Sequence, residues 1–398
     1  MSFVTRVGEK GEWSGPPDHW SFSTLTEAES CPLQYALRHA MYTGPNFSGP
    51  GYPDKVSEAA LVGTVIHGAV EQVLRALRYV DVSDPVAATA ALRGLGGYSK
   101  IVDRCIDVVL GRLSSNHRVK ARVPRLAAGL HRRTPEIRSA VQELVARLPP
   151  VAASKEPLPQ SMQGGASVPS RGTLAPGRYP EARLRADDER FKGQIDLLTV
   201  GHDAADIVDF KSGARDEHHQ EQILLYGLLW LLDREANPGG LPVGQMTLAY
   251  PGEDERVPEP KAWSDLGADL RRRIGSADDS IAGAPIARLS SACARCSVRH
   301  MCEAYWSSDY ATIHPGAFGD IEAEVIARNG SMSWTARLTR TAERALVRTT
   351  DEDLLLTAAS TVRLLDVACE RQTADDGDAE VVVLTAVASS EVFEISSP

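Results

Sequence analysis

The 398-residue sequence lacks several features that would assign it to a large class of proteins. No uninterrupted apolar run is long enough for a membrane helix, and the first residues lack the apolar core of a signal peptide, so we expect a cytoplasmic protein without a membrane span. There is no G-x-x-x-x-G-K-S/T phosphate loop, which excludes a P-loop motor within this chain. There is also no internal repeat and no G-x-S-x-G nucleophile elbow.

Positive charge is scarce overall, because the net charge is −10. Residues 315–398 carry seven basic and fifteen acidic side chains, a net charge of −8. Residues 112–138 are the opposite, with eight basic side chains against the single acid Glu136. This basic stretch is either a track for phosphate groups or a solvated, arginine-rich helical face.

The stretch from Phe191 to Tyr226 combines apolar strand residues with acids, an amine and an amide. Its pattern predicts a strand ending at Gly193-Gln194-Ile195-Asp196, a turn at Gly201-His202-Asp203, a second strand at 207–211, and a helix carrying Gln222 and Tyr226.

Strand side chains alternate between faces, so Asp209 and Lys211 share one face while Phe210 points into an apolar layer. The short turn favours an antiparallel hairpin, which would bring the carboxylate of Asp196 beside that of Asp209. Two neighbouring carboxylates repel each other, and a hard divalent cation such as Mg²⁺ relieves this repulsion. For an isolated D-x-K pair, the alternative is an ordinary surface salt bridge.

The ordered set G-x-x-D, D-x-K and Q-x-x-x-Y resembles the PD-(D/E)xK nuclease superfamily, in particular the RecB-like branch that includes the CRISPR-adaptation exonucleases. The resemblance implies that Asp196 and Asp209 bind the metal and that Lys211 is the catalytic lysine. It also implies that Gln222 and Tyr226, four residues apart on one helical face, either reach the DNA backbone or brace the lysine.

Residues 61–71 predict an amphipathic helix with His67 and Glu71 on one face. The spacing Gly63-x-x-x-His67 resembles the first motif of the same branch, so we expect His67 to be a metal ligand or a neighbour of the metal site; the alternative is a structural histidine. For Glu71 the alternative is ordinary i,i+4 pairing. Glu181, expected where the sheet starts, is either near the active site, as the resemblance implies, or a strand-edge residue.

Three of the six cysteines cluster as Cys293-x2-Cys296-x5-Cys302, which in a reducing compartment indicates a metal centre instead of disulfides. The RecB-like nucleases that carry an iron–sulfur cluster resemble this layout of one cysteine before and three after the nuclease motifs. The resemblance implies a [4Fe-4S] cluster that ties the N-terminal helix to the end of the nuclease domain, and tetrahedral zinc is the alternative. The implied ligands are Cys31, Cys293, Cys296 and Cys302. Cys105 and Cys369 fit no ligand spacing and are expected to be buried thiols.

The predicted fold is α/β: a restriction-endonuclease-like core with a helical N-terminal part, followed by a small OB-like β-barrel. Helical periodicity runs from Pro85 to Leu148 with breaks at Gly96-Gly97, Pro124 and Pro135. Alternating runs at 321–328, 333–338, 345–348, 361–367 and 380–387, with turn signals at Asn329-Gly330 and Asp376-Gly377, predict the barrel. The predicted segments are an N-terminal segment 1–60, a helical region 61–148, a linker 149–179, the nuclease core with the cysteines 180–306, and the barrel 315–398.

These features together predict a Mg²⁺- or Mn²⁺-dependent deoxyribonuclease, acting as an exonuclease on single-stranded or frayed DNA ends in repair, CRISPR adaptation or phage defence. Any unwinding would need a helicase or other protein supplied in trans, which the C-terminal domain is expected to contact. The alternative is a non-catalytic scaffold that binds DNA ends or a partner protein, which the acidic barrel favours. A zinc-stapled interaction protein is a third interpretation.

Overall fold

The computed structural model describes residues 2–44, 47–78, 80, 84–148, 172–350, 355–373 and 380–395. The chain forms two compact units, each described here by itself. The sheet unit comprises Pro17–Thr26 and Val56–Ala277. The barrel unit comprises Met1–Pro16, Glu27–Lys55 and Asp278–Pro398.

The helices are α1 Phe22–Ser30, α2 Pro32–His39, α3 Glu58–Leu77, α4 Pro85–Gly94, α5 Gly97–Leu113, α6 Val123–Arg132, α7 Thr134–Ala146, α8 Glu217–Leu232, α9 Trp263–Ala282 and α10 Glu303–Trp306. The strands are β1 Ser2–Val4, β2 Lys10–Glu12, β3 Met41–Thr43, β4 Ser48–Pro50, β5 Gly177–Ala186, β6 Phe191–Val200, β7 Ala205–Phe210, β8 Val243–Tyr250, β9 Glu253–Val257, β10 Phe318–Gly330, β11 Ser333–Leu338, β12 Arg344–Thr349, β13 Thr361–Thr373, β14 Glu380–Ala386 and β15 Glu391–Ile395.

The sheet unit is built on a five-stranded sheet in the order β5-β6-β7-β8-β9. All neighbouring strands are antiparallel except β7 and β8, which are parallel and are joined by a crossover through α8. The predicted hairpin between residues 191 and 211 is confirmed, with Leu197 opposite Val208. The helix predicted to carry Gln222 and Tyr226 is α8.

Helices α3 to α7 pack into an apolar core with one face of this sheet. Pro124 and Pro135 lie in the first turns of α6 and α7, where proline is tolerated because the first helical N–H groups have no intrahelical acceptor. The predicted helix breaks are therefore confirmed. Among the described residues, α3 alone is long and apolar enough to cross a membrane, but 56% of that window is buried within the protein.

The sheet begins earlier than the sequence predicts. Residues up to 179 read as a linker rich in Pro, Gly and Ser, yet β5 starts at Gly177 and pairs with Val200 of β6. Tyr179, 2% exposed, supplies the apolar contact that local composition did not reveal. Pro180 is accommodated because β5 is an edge strand of the sheet. Residues 149–171 of the predicted linker lie outside the described residues.

The barrel unit contains five strands closed into a ring in the order β10-β11-β12-β14-β13, with β10 paired back to β13. β12 and β14 run parallel, and β15 pairs with residues 361–365 of β13, whereas β14 pairs with residues 368–373. All five predicted strand runs are present, and the predicted hairpin between β10 and β11 forms, but its turn is Ser331-Met332 because Asn329 and Gly330 still belong to β10, where Gly330 pairs with Ser333. Asp376-Gly377 lies outside the described residues. A closed five-stranded ring of this order is OB-like.

A small four-stranded sheet, β1-β2-β3-β4, completes the barrel unit. The last three cysteines lie in residues 293–302, the cysteine-containing segment. Tyr42 of β3 packs with Leu37 of α2 and with Val298 and Met301 of this segment. The polypeptide around the last three cysteines is thus anchored by an apolar cluster of its own. The segment boundaries predicted from sequence stay a prediction.

Candidate active site

Asp196 and Asp209 lie on adjacent strands, at the same end of the β6–β7 hairpin. Because Leu197 is opposite Val208, the next position along the two strands brings Asp196 and Asp209 together. The backbone N–H of Phe210 donates to Oδ2 of Asp196 at 2.7 Å, which fixes that carboxylate over the end of β7. The structure therefore brings together the two acids predicted from the sequence.

Asp209 is only 3% exposed, and its Oδ2 lies 2.6 Å from Nζ of Lys211. Burial, reinforced by the charge of Asp196, raises the pKa of Asp209 to about 6, although Lys211 and His67 act in the opposite direction. Phe210, between them, is 2% exposed and packs in the helical core. The alternation predicted for these three residues is confirmed.

Lys211 is held from the other side by the helix that follows. Its Nζ donates to Oε1 of Gln222 at 2.6 Å, and Nε2 of Gln222 donates to Oη of Tyr226 at 2.8 Å. Of the two roles predicted for Gln222 and Tyr226, this geometry is that of a brace for the lysine.

Gly193 of the G-x-x-D motif has a steric purpose. A Cβ at this position would lie 2.9 Å from Cε1 of Tyr226 and 3.0 Å from Cδ2 of Leu229. Glycine thus allows the Tyr226 ring to lie directly on β6. Gly193, the first residue of the sequence pattern, and Tyr226, the last, therefore pack against each other.

His67 projects from α3 toward the acids, with Nδ1 3.5 Å from Oδ2 of Asp196. Burial lowers the pKa of His67. This effect is outweighed by the hydrogen bond and charge of Asp196 and by the charges of Asp209 and Glu181, so the pKa is raised overall. Gly63, one turn earlier, faces Ser212, whose Oγ would be 2.5 Å from an added Cβ. The glycine lets α3 approach the loop after Lys211. Glu71 pairs with Arg75 at 2.7 Å, the i,i+4 alternative.

Glu181 also belongs to this cluster. It accepts a hydrogen bond from the side chain of Gln194 on β6, and burial together with the charge of Asp196 raises its pKa to about 7. Its backbone has a φ of +55°, in the left-handed region that non-glycine residues rarely adopt. Glu181 is thus a neighbour of the acids and not a plain strand-edge residue.

Two residues near Lys211 were not singled out from the sequence, His219 and Tyr250. Nδ1 of His219 lies 2.9 Å from Oη of Tyr250. The only sequence signal was the spacing of His219, Gln222 and Tyr226, which places all three along one side of α8. Tyr250 gave none, because it reads as the last residue of an apolar strand.

The acids fit a divalent cation chemically. Three carboxyl groups, of Asp196, Asp209 and Glu181, lie within interaction range, and two of them have raised pKa values. Their mutual repulsion is what a bound cation would relieve. Over the described ranges, no group of three or more His, Cys, Asp or Glu side chains is close enough together to hold one metal ion.

The four cysteines predicted as ligands line one cavity of about 30 Å³ in the barrel unit, although Cys31 is far from the other three in sequence. Backbone N–H groups of Gln34 and Arg288 approach Sγ of Cys31 at 3.4 and 3.5 Å, and that of Ser290 approaches Sγ of Cys293 at 3.4 Å. Burial, together with the charges of the other three thiol groups, raises the pKa of Cys296 to about 12, although the backbone N–H of Val298 acts in the opposite direction. Such a thiol set fits a cationic centre, which would remove the mutual repulsion.

The two remaining cysteines are buried elsewhere, as predicted: Cys105 is 4% exposed and Cys369 is 3% exposed. In the basic stretch 112–138, Arg118 is buried, Arg133 pairs with Glu136 at 2.7 Å, and Arg112, Lys120 and Arg125 are exposed. Neither interpretation of that stretch is decided by these contacts.

Comparison with known proteins gives one extensive match. The sequence profile of the PD-(D/E)XK nuclease superfamily matches residues 19–303. No curated protein matches the chain. Seven chains of solved structures match, among them the OB domain of a Methanosarcina mazei protein, with 18% identity and a TM-score of 0.18 over 23% of this chain and 84% of that one. At that TM-score the likeness adds nothing to the strand order described above.

Proposed function

Because the chain belongs to the PD-(D/E)XK nuclease superfamily, we propose that it is a Mg²⁺- or Mn²⁺-dependent deoxyribonuclease. The observation that carries the proposal is the placement of Lys211 between the buried carboxylate of Asp209 and the amide of Gln222, both at 2.6 Å. Because contacts hold Lys211 on two sides, its positive charge has a fixed position beside the acidic cluster. That arrangement suits a reaction in which negative charge develops on phosphorus oxygens.

Asp196 and Asp209 would hold the cation, with His67 as a neighbour of the metal site or a further ligand once the metal draws the side chains together; the cation would supply an activated water and neutralise charge on the phosphate. Lys211 offers its remaining N–H groups to a phosphate oxygen. Gln222 and Tyr226 keep Nζ in place, so little reorganisation is needed when charge develops.

For the four cysteines we propose a [4Fe-4S] cluster. All four cysteines line one cavity, and the order of one cysteine before and three after the nuclease motifs resembles that of the RecB-like nucleases that carry such a cluster. A tetrahedral zinc site is the alternative. The role of the cluster would be to join α2 to the segment that follows α9.

We further propose exonuclease action on single-stranded or frayed DNA ends in the cytoplasm, with a helicase acting in trans because the chain has no phosphate loop. The barrel would contact a protein partner. Trp334 is 2% exposed and so is not available to stack on a base, and one face of the Phe393 ring is covered by His300, with ring centroids 4.0 Å apart.

The test is cleavage of end-labelled single- and double-stranded DNA with Mg²⁺, Mn²⁺ or EDTA. We expect metal-dependent cleavage that Asp209→Asn reduces at least about a hundredfold. Asp203→Asn, in the exposed turn of the same hairpin, is the matched control and should cleave normally. A folded wild-type protein that cuts no DNA with either metal, or an Asp209→Asn variant with full activity, would overturn the proposal.

A further inference from the structure

His219 lies in the first turn of α8, on the same side of the helix as Gln222 and Tyr226. These two residues hold Lys211, whereas His219 contacts Oη of Tyr250 through Nδ1 at 2.9 Å. The next residue toward the N-terminus, His218, is exposed and lies 3.5 Å from Glu221. The two adjacent histidines therefore have different surroundings, and only His219 faces the site.

Tyr250 ends β8, the parallel neighbour of the strand that ends just before Lys211. The backbone N–H of Lys211 donates to the carbonyl of Ala249 at 2.9 Å. Lys211 and Tyr250 therefore lie on neighbouring chain segments at the same end of the sheet. In open α/β sheets, ligands bind beyond the carboxyl ends of parallel strands, and β7 and β8 are parallel strands. The His219–Tyr250 pair lies at that edge.

The charges around His219 favour a neutral imidazole. Burial and the positive charge of Lys211 lower the pKa of His219, outweighing Asp216 and Glu255, which raise it. Burial raises the pKa of Tyr250, so its hydroxyl keeps its proton. A hydroxyl that donates to Nδ1 leaves the ring proton on Nε2, where it is a hydrogen-bond donor. Arg215, 5.4 Å above the Tyr250 ring, is paired with Glu253 at 2.6 Å.

We propose that Nε2 of His219, oriented by Tyr250, donates a hydrogen bond to a backbone phosphate of the DNA adjacent to the phosphate at Lys211. The inference rests on the proposed nuclease function and adds a subsite to it. Tyr250 acts through His219 and is a positioning residue. The subsite would set which stretch of the strand lies over the acids.

The test uses single-stranded oligonucleotides in which one phosphate at a time near the cleavage site is replaced by an uncharged methylphosphonate. On unmodified DNA we expect His219→Ala and Tyr250→Phe to lower kcat/KM about ten- to a hundredfold, the range for a hydrogen bond to a charged group. His218→Ala is the matched control and should behave like the wild-type protein. At one flanking position the methylphosphonate should slow the wild-type protein by a similar factor but should not slow His219→Ala any further.

A structural role for His219 would give a different pattern, in which the losses from mutation and modification multiply at every position. That pattern, or equal activity of His219→Ala and His218→Ala, would overturn the inference while leaving metal-dependent cleavage by the wild-type protein intact. The affinity of the same oligonucleotides, measured in EDTA by fluorescence anisotropy, reports the contact without hydrolysis. If no DNA is cleaved, the proposed function fails, and an affinity profile identical for both alanine variants rejects the subsite as well.

Discussion

At the scale of single residues, the position of Lys211 depends on a residue that carries no chemistry. Gly193 leaves room for the ring of Tyr226, Tyr226 accepts from Gln222, and Gln222 accepts from Lys211. The chain of contacts joins β6, α8 and the end of β7. A larger side chain at position 193 would therefore displace Tyr226 and Gln222 and so move Lys211.

We predict that Gly193→Ala impairs both activity and folding. The added Cβ must displace Tyr226 or Leu229, at a cost of about 1–3 kcal/mol in the free energy of unfolding. Movement of Lys211 should lower cleavage about a hundredfold. Urea unfolding and cleavage rates check this. Gly111→Ala, in α5 with no atom within 4 Å of the added Cβ, is the control, and equal behaviour of the two variants would contradict the prediction.

The raised pKa values of Asp209, about 6, and Glu181, about 7, predict how the stability of the metal-free protein depends on pH. Between pH 4 and 7 the folded state binds more protons at these carboxyls than the unfolded chain does. Their contribution to the free energy of unfolding is therefore greatest at low pH and falls as pH rises through this window.

Urea unfolding in EDTA at pH 5 and pH 7.5 tests this dependence. The wild-type protein should lose about 1 kcal/mol more stability over that interval than Asp209→Asn, which cannot ionise at this position. Added Mg²⁺ should restore stability at pH 7.5 in the wild-type protein more than in the variant. Parallel pH profiles for the two proteins would show that Asp209 has an ordinary pKa.

At the scale of elements, the sequence predicted most of the strands and helices because their side chains repeat with the period of the backbone. β11, for example, matches the predicted bounds 333–338. The start of β5 and the whole of β15 did not follow from local pattern. Both are edge strands, and they form because they pair with a neighbouring strand, an effect that the local residue pattern does not show.

The cysteine-containing segment has little regular structure of its own and should depend on its ligand. We predict that Cys296→Ser removes bound iron and visible absorption from anaerobically purified protein and lowers its unfolding midpoint. Cys105→Ser is the matched control, because Cys105 is a buried thiol of the helical core and is not one of the proposed ligands. Full iron content in Cys296→Ser, or equal loss in both variants, would refute the proposed ligand set.

At the scale of the whole molecule, an acidic chain uses its few buried charges to join segments that are far apart in sequence. In the barrel unit, Arg299, which lies between Cys296 and Cys302, forms a 2.5 Å ion pair with Asp320 of β10 and a 3.0 Å pair with Asp366 of β13. Tyr305 also donates to Asp320, at 2.8 Å. The cysteine-containing segment and the barrel are thereby one cooperative structure.

We predict that Asp320→Asn costs about 3 kcal/mol, because it leaves the charge of Arg299 buried with one exposed partner. The same variant should release iron more readily, since Arg299 lies between the proposed cluster ligands Cys296 and Cys302. Asp309→Asn breaks the exposed Arg340–Asp309 pair of the same unit and should leave the unfolding midpoint unchanged. Chemical unfolding followed by tryptophan fluorescence, with iron release measured in parallel, distinguishes the two variants; equal midpoints would contradict the prediction.

The sequence by itself determined the hairpin of Asp196 and Asp209, the helix of Gln222 and Tyr226, and the strand pattern of the barrel, because these follow from backbone periodicity and turn chemistry over short distances. The family motifs added His67 and the cysteines as candidates. Only the tertiary structure decided that Glu181 lies with the acids, that Gly193 accommodates Tyr226, and that His219 meets Tyr250. These contacts join residues from different elements, and their energies depend on burial and on neighbouring charges that local sequence does not specify.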